Sequence, residues 1–323
     1  MDVLSEVLKA IKLDGALFFN AELSAPWCVR EPRSDEFAPF VSQDGRGHVV
    51  LYHYVVEGRL SAWLPGEDRI ELKSGDVVVF PHGDDHFLSY GEPEKPVDAL
   101  KTFGGNLSDG LKLTRFGGGG EITRLACGYL VCEPGLGNVV LSGLPKMVKV
   151  SLSDHTSGQW LSDSIGYLVG HEDGSDPGSA VVMTKLSEVL FVETLRRYIG
   201  DLPTKQTGWL AGVRDPFVGK ALALIHGKPS VGWTISNIAR EVGLSRTRFA
   251  ERFRHFLGDS PMAYLTKWRL KLGAEALVSS DDSVAEIGAA VGYGSEASFS
   301  RAFSREFGSP PSKFRRSNRG AVD

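Results

Sequence analysis

The chain has few cysteines and no long apolar run. Three cysteines among 323 residues are too few for the disulfide framework that holds small secreted domains together. No N-terminal segment has the pattern of a secretory signal peptide, and no apolar stretch reaches the roughly 20 residues that a membrane-spanning helix needs. We therefore expect a cytoplasmic protein without structural disulfides and without a membrane partner.

The sequence also lacks a phosphate-binding loop. The four consecutive glycines from Gly117 to Gly120 are the most glycine-rich run in the chain. A loop that cradles phosphate continues into Lys followed by Ser or Thr, and no such pair follows here. The run indicates a loop, and we predict no cofactor.

Charge is divided unevenly along the chain. From Gln206 to the C-terminus there are 17 Lys and Arg against 11 Asp and Glu, whereas residues 1–205 have 19 against 29. The net charge of the whole chain is −4. A basic C-terminal part in an acidic protein is typical of a segment that binds phosphate groups.

The basic part contains one helical unit written twice. Phe249, Phe253, Gly258 and Pro261 recur fifty residues later as Phe299, Phe303, Gly308 and Pro311. In each copy a short apolar stripe ends at a glycine, Gly243 or Gly292, and a serine then starts a second helix. This order predicts two helix-turn-helix motifs.

A continuous helix is predicted between the two copies. Ser260 and Pro261 form a helix start, and Leu265, Trp268 and Leu272 continue an apolar stripe towards Leu277. A helix of about 17 residues is roughly 25 Å long, comparable to the about 34 Å between successive major-groove faces once helix widths are added. Two reading helices could then enter adjacent major grooves.

The C-terminal part resembles the AraC family of bacterial transcription regulators over about 110 residues. The matching residues are Trp233-Thr234, Ile238-Ala239, Ser245-Arg246, Phe249 to Phe253, Ser260-Pro261, Tyr264-Leu265, Trp268-Arg269-Leu270, Val291-Gly292-Tyr293, Ser298-Phe299, Arg301-Ala302-Phe303, Phe307-Gly308 and Pro310-Pro311. The resemblance implies sequence-specific binding of double-stranded DNA and, as the usual output, activation through RNA polymerase.

By analogy with the reading helices of that family, specific residues are expected to contact DNA. Base contacts are expected from Arg246, Thr247, Ala250 and Glu251 in the first copy and from Glu296, Ala297 and Arg301 in the second. Small side chains favour thymine methyl groups, and arginine can bind guanine with two hydrogen bonds. Phosphate contacts are expected from Arg254, Arg305 and Lys313.

The N-terminal part has the pattern of a small β-barrel. Strands are predicted over residues 48–56, 59–64 and 70–80, the last interrupted at residues 73–76. Gly75-x5-Pro81-x-Gly83-x2-His86 fits the second sequence motif of cupins, and Gly47-x5-His53 begins the first. Together with Leu4 to Leu13, Pro26-Trp27, Cys127-Gly128 and Leu144-Pro145, the region resembles the cupin type fused to some AraC regulators, which implies an effector-sensing barrel.

A metal-dependent cupin needs more ligands than this sequence offers. His53, Glu57 and His86 are weak candidate ligands, because Val55 stands where the first motif has its next histidine. We predict no metal and no catalysis. The alternative is a metal-dependent cupin enzyme with a vestigial helix-turn-helix module, which bound metal and turnover would reveal.

The cysteines offer a second chemistry. Relatives of this cupin type that respond to oxidants through thiols make Cys28 and Cys127 redox candidates, against the alternative of buried, inert cysteines. Cys127 and Cys132 are five residues apart, so an ideal strand would point them to opposite faces and prevent pairing.

The sequence thus predicts two domains. Residues 1–205 form a mainly β, cupin-like barrel with accessory helices, and residues 206–323 form an all-α domain with two helix-turn-helix motifs joined by a long helix. An apolar helical pattern over residues 180–199 predicts either a homodimer interface or packing on the barrel. We expect a transcription regulator whose barrel senses a small molecule or an oxidant. A protein-interaction adaptor that no longer binds DNA is a third possibility.

Overall fold

The chain forms two compact units. The computed structural model describes residues 4–5, 13–41, 48–91, 95–104, 113–132, 140–153, 156–170, 178–203 and 205–319. The barrel unit comprises Leu13–Glu133 and Leu144–Asp201, and the helical unit comprises Met1–Lys12, Pro134–Gly143 and Leu202–Asp323. The boundary at residues 205 and 206 stays a prediction.

Strands make up most of the barrel unit. They are β1 (Leu13–Ser24), β2 (Trp27–Glu31), β3 (His48–Glu57), β4 (Arg59–Trp63), β5 (Ile70–Lys73), β6 (Asp76–Phe80), β7 (His86–Tyr90), β8 (Val97–Asp98), β9 (Leu113–Gly117), β10 (Ile122–Cys132) and β11 (Val148–Ser151). The three strand segments that the sequence predicts correspond to β3, β4, and the pair β5 and β6. The helices described alongside them are α1 (Ser34–Val41), α2 (Ala99–Phe103), α3 (Thr156–Gly170) and α4 (Ser179–Asp201).

The strands form two sheets around one apolar core. The order is β11-β6-β3-β10-β1-β9 in the larger sheet and β5-β4-β7-β2-β8 in the smaller. Leu60 and Leu88 of the smaller sheet lie in the same buried cluster as Val78, Phe80 and Leu125 of the larger. Alternate residues of both sheets therefore face one interior, as in a cupin.

Helices alone make up the described secondary structure of the helical unit from Leu202 onwards. They are α5 (Trp209–Arg214), α6 (Pro216–Gly227), α7 (Ile235–Val242), α8 (Arg246–Leu257), α9 (Pro261–Ser279), α10 (Val284–Ala290), α11 (Glu296–Phe307) and α12 (Pro311–Arg319). The predicted connecting helix is α9, with 19 residues and a length of roughly 28 Å. The predicted fold class is confirmed.

Residues 200–215 contain three glycines and a proline, a composition typical of a linker, but the segment is partly helical. It contains the last residues of α4 and all of α5, and Trp209 and Leu210 of α5 are buried. The burial of these apolar side chains explains why the segment is structured despite its glycine and proline content. No helix within the described ranges is long and apolar enough to cross a membrane.

Candidate functional site

The first helix-turn-helix motif consists of α7 and α8. Thr234 caps α7, its hydroxyl accepting a hydrogen bond from the Asn237 backbone N–H at 3.1 Å. Gly243 ends α7 in the left-handed region with φ 79°, where a side chain would be strained. Ser245 then caps α8, accepting from the Arg248 N–H at 3.4 Å. The sequence-predicted turn is confirmed.

The second motif consists of α10 and α11. Ser283 and Glu286 form a reciprocal capping box at the start of α10. Gly292 in the turn has φ 91°, and a Cβ there would lie 2.8 Å from the Cα of Ser230 and 2.9 Å from the Arg269 guanidinium. Both the backbone conformation and the close approach therefore require glycine.

Buried aromatic rings hold both reading helices, α8 and α11. Phe249, Phe253, Phe299 and Phe303 have no exposed surface. The ring centroids are 5.6 Å apart in the first pair and 5.5 Å apart in the second. Since the rings face inwards, the opposite face of each helix is left to the polar residues.

The residues expected to contact DNA lie on those outer faces. Ala250 is half-buried, and the other members of the set are exposed: Arg246, Thr247, Glu251, Arg254, Glu296, Ala297, Arg301 and Arg305. Within the part of the chain that the structure describes, Arg246, Arg254 and Arg301 have no hydrogen bond or ion pair through their guanidinium groups. These charges are available to an external acceptor.

Arg252, on the same helix as Arg246, has a structural role instead. Its guanidinium binds both carboxylate oxygens of Asp215, and Asp215 also caps α6 by accepting the N–H groups of Phe217 and Val218. Burial favours a higher pKa for Asp215, but Arg252 and the two N–H groups outweigh it and lower the pKa. The pair anchors α8 to α6.

Sequence reasoning missed this anchor, although part of its signal was visible. Asp215 and Pro216 show a typical helix start, with an aspartate as the cap and a proline at the first helical position. The partner Arg252 lies 37 residues away, so no local pattern connects the two.

The basic C-terminal segment is also partly structural. Phe314 packs against Phe303 and Phe307, and Arg315 donates to the backbone carbonyls of Leu277 and Asp282. Lys313 and Arg316 remain exposed. The segment therefore fixes the end of α9 while leaving two cations for phosphate groups.

The barrel interior contains a hydrogen-bonded chain of one thiol and two imidazoles. Nδ1 of His53 lies 3.0 Å from Sγ of Cys127, and its Nε2 lies 2.8 Å from Nε2 of His86. Nδ1 of His86 lies 3.1 Å from the Asp84 carbonyl oxygen. All three side chains are at most 4% exposed. Adjacent strands create the chain, because Cys127 on β10 pairs with His53 on β3.

Burial shifts the pKa of each group in this chain towards its neutral form. Burial and the nearby His86 lower the pKa of His53 well below its ordinary value. Burial lowers the pKa of His86 to about 3, against an opposing hydrogen bond to Asp84. Burial and the carboxyl of Glu31 raise the pKa of the Cys127 thiol. At neutral pH the two imidazoles and the thiol are therefore uncharged.

The three weak metal candidates are not brought together. His53 and His86 meet, but Glu57 is exposed at the end of β3, four residues beyond His53. No group of three or more His, Cys, Asp or Glu residues in the described ranges is arranged to hold a metal ion. Glu57 does not join the two histidines, because its position at the end of β3 is exposed.

A cavity opens beside Cys127. The cavity is partly open to solvent, and the space available to the centre of a water-sized molecule is about 20 Å³. The lining is mainly apolar and is made by Phe19, Glu31, Pro32, Phe37, Ala99, Leu100, Phe103, Gly104 and Cys127. Burial and the neighbouring Asp98 raise the pKa of Glu31 to about 7. Sequence analysis missed this carboxyl, because no motif marks it.

The redox candidates have different surroundings. Cys28 is buried on β2 opposite Ser89 and is not among the residues that line the cavity. Burial raises its pKa, partly offset by Arg69. All three cysteines are free thiols in this structure.

Two domain families match the chain. The cupin family model matches residues 2–200, and a helix-turn-helix domain model matches residues 238–317. A double-sheet barrel joined to two helix-turn-helix motifs defines the class: a cupin fused to a DNA-binding helical domain.

Relatives of the same length narrow the class. A putative AraC-like transcription regulator of Streptomyces lividans is 30% identical over 321 residues, covering 98% of each chain. The regulator AlkR of Acinetobacter baylyi is 26% identical over 319 residues, covering 98% of this chain and 99% of AlkR. RclR of Escherichia coli, an RCS-specific transcriptional activator, is 25% identical over 316 residues, covering 98% of this chain and 97% of RclR.

The chain belongs to the AraC-like family of helix-turn-helix transcription regulators and to the cupin family through its N-terminal part. It is a DNA-binding transcription regulator.

Proposed function

We propose that α8 and α11 read a specific DNA sequence in two successive major grooves. The proposal rests on one observation about the two reading helices. Each buries its phenylalanine rings on one face and exposes arginines on the opposite face. Arg246 and Arg301 donate to bases, with Thr247, Ala250, Glu251, Glu296 and Ala297 completing the readout. Arg254 and Arg305 bind phosphates.

The barrel controls this activity by binding an effector. The apolar cavity beside Cys127 favours a small, largely apolar molecule as the effector. The free thiols favour an oxidant as the alternative signal. The protein regulates transcription, either as an activator through RNA polymerase, the usual output of the family, or as a repressor, and it catalyses no reaction. Residues 1–205 form the sensing domain, and residues 206–323 form the DNA-binding domain.

Arg301→Ala tests the proposed readout. Operator fragments are first selected from genomic DNA by the purified protein, and affinity is then measured by fluorescence anisotropy at several salt concentrations. We expect Arg301→Ala to weaken binding to the selected sequence by about 1–3 kcal/mol and to leave binding to unrelated DNA nearly unaffected. Arg254→Ala should weaken binding to all sequences alike and reduce the salt slope by about one.

Arg33→Ala is the charge-matched control, because Arg33 is an exposed arginine of the barrel unit. It should leave both affinities unchanged. Equal binding of the selected sequence by the unaltered protein and Arg301→Ala would remove Arg301 from the readout. Failure to retain any DNA, with folding intact, would favour the adaptor hypothesis.

A homodimer formed through the barrel unit is also part of the proposal. On α3, Trp160 and Tyr167 are 58% and 64% exposed, and on α4 Val182 and Val189 are 48% and 42% exposed. Each pair is seven residues apart, so each helix presents an apolar stripe to solvent. Such stripes on packed neighbouring helices suit a second copy of the same surface.

The variant Val182→Glu/Val189→Glu tests this interface. Two buried unpaired carboxylates at a dimer interface should raise the dimer dissociation constant at least about 100-fold, measured by sedimentation equilibrium. Phe40→Glu is the matched control, since Phe40 is 59% exposed on α1. The interface would be contradicted if the unaltered protein were monomeric at every concentration. It would also be contradicted if Phe40→Glu raised the dimer dissociation constant as much as Val182→Glu/Val189→Glu does.

A further inference from the structure

The hydrogen-bond chain in the barrel has one consistent direction. The Asp84 carbonyl only accepts, so Nδ1 of His86 donates to it. In a neutral imidazole the other nitrogen then accepts, and Nε2 of His53 donates to His86. Nδ1 of His53 is left as an acceptor, and the Cys127 thiol donates to it. The Asp84 carbonyl thereby fixes His53 as a base facing a thiol.

The same thiol lies in the wall of the cavity. Cys127 lines it together with the rings of Phe19, Phe37 and Phe103. Those rings make much of the lining apolar, and Glu31 is the ionisable neighbour of the thiol there. A molecule that enters from the open side meets Sγ, and an apolar one is favoured over an anion because the lining is mainly apolar and ionised Glu31 would repel the anion.

We propose that Cys127 is a covalent modification site for small apolar molecules carrying an electron-poor carbon–carbon double bond, with His53 as the base. Sγ forms a bond to the β-carbon while its proton passes to Nδ1 of His53. The double bond is conjugated to a carbonyl group, and its π electrons move towards that carbonyl to form an enolate. The proton then returns from His53 to the α-carbon. The addition is complete without a leaving group or an oxidant.

The other two cysteines lack this arrangement. An imidazole contact is found for Cys127 alone among the cysteines of the described residues. Cys28 and Cys132 are buried as well, but neither lines the cavity. Modification should therefore be selective for one thiol, although all three are sheltered from solvent.

Two maleimides with the same reactive ring test the proposal on the full-length protein. N-benzylmaleimide is apolar, and N-(2-carboxyethyl)maleimide is an anion. Adducts are located by peptide mass spectrometry, and rates are normalised to those with free glutathione. We expect Cys127 to react at least about tenfold faster with the benzyl probe. The unreactive N-benzylsuccinimide should slow that reaction by occupying the cavity.

His53→Gln tests the base. We expect the rate at Cys127 to fall by at least about tenfold, less than the usual 100-fold or more for a positioned base, because burial lowers the pKa of His53. Circular dichroism and thermal unfolding check that the variant folds. Cys127→Ala should remove the adduct, and Cys28→Ser should leave the rate at Cys127 unchanged, as the matched control.

The pH profile of the unaltered protein tests the same point without a substitution. A thiol that must first ionise in water reacts about tenfold faster per pH unit below its pKa. A neutral thiol paired with a neutral base should instead give a rate that does not rise between pH 6 and 8. The ionisable groups facing Cys127 are His53 on β3, His86 on β7 and Glu31 on β2, with Asp98 on β8 behind Glu31. Ionisation of Glu31 would slow the reaction above pH 7.

Three results would overturn the proposal: adducts at Cys28 or Cys132 but not at Cys127, equal normalised rates for the two probes, or an unchanged rate in folded His53→Gln. The regulatory meaning of the modification rests on the proposed function, but labelling is measured without DNA. A protein that binds its operator and is never labelled at Cys127 refutes this inference alone. A protein that is labelled but never binds DNA refutes the proposed function alone.

Discussion

Phe299→Ala is expected to destabilise the helical unit by about 3–5 kcal/mol. Phe299 has no exposed surface and contacts the rings of Tyr293 and Phe303. Gly273 and Gly288 lie against its ring. Because glycines have no side chain that could move into the space, the cavity left by the ring would persist. Stabilities of about 5–15 kcal/mol are usual for whole domains, so α11 would lose its fixed position.

Urea unfolding and operator binding measure this effect. The unfolding midpoint of the helical unit should fall, and affinity for the operator should fall with it, while near-ultraviolet signals of the barrel persist. Phe40→Ala is the control for the chemical change, since Phe40 is 59% exposed and should cost less than about 0.5 kcal/mol. A loss below about 1 kcal/mol for Phe299→Ala, well under the range for a buried ring, would mean that the second motif is not supported as described.

A second substitution makes the test more specific. A Cβ on Gly273 would lie 2.8 Å from the Phe299 ring, so Gly273→Ala alone should be destabilising. In the Phe299→Ala background the same methyl group enters the empty space, and a helical Gly→Ala change adds up to about 1 kcal/mol of helix propensity. Gly273→Ala should therefore change sign between the two backgrounds, which independent sites would not show.

Gly128→Ala should destabilise the barrel unit by a similar amount. Gly128 on β10 is paired with Tyr52 on β3, and a Cβ there would lie 2.0 Å from the end of the Tyr52 ring. Tyr52 is 1% exposed and donates a hydrogen bond to Ser187 of α4 at 2.6 Å. Displacing the ring adds overpacking, about 1–3 kcal/mol, to the loss of a buried hydrogen bond, about 1–3 kcal/mol.

Thermal unfolding followed by circular dichroism measures this change. Gly166→Ala is the matched control, because Gly166 lies in α3 with nothing within 4 Å of a Cβ, and it should be neutral or slightly stabilising. Adding Gly128→Ala to Tyr52→Ala should cost little, since the clashing ring is gone. Equal costs in both backgrounds would show that Tyr52 is not the obstacle.

Much of the helical unit could be predicted from the sequence. Helix caps and stops such as Ser245, Gly243 and the Ser283 capping box are local, because they depend on residues within a few positions of each other. The same applies to the spacing of Phe249 and Phe253, which places both rings on one helix face. The doubled motif and the basic charge of this part therefore follow from the order of residues alone.

The barrel's interior depended on tertiary structure. His53 lies 33 residues from His86 and 74 residues from Cys127, and strand pairing decides which of these side chains meet. Glu57 has the residue type of a metal ligand, but its position at the exposed end of β3 separates it from the histidines. Residue type alone could not distinguish Cys127 from Cys28, since the difference is the imidazole beside one thiol.

The sequence by itself determined the repeated motif and the identity of the outward-facing arginines, because these follow from helical periodicity and from charge. The barrel was indicated by the strand patterns and by the resemblance to the cupin motif. Tertiary structure alone decided that Arg252 is bound by Asp215 while Arg246 and Arg301 are left for an external acceptor. It also decided that Cys127 faces both a base and a cavity. Hydrogen bonds between distant residues require the folded chain, because nothing in the local sequence specifies which partner the fold will bring into contact.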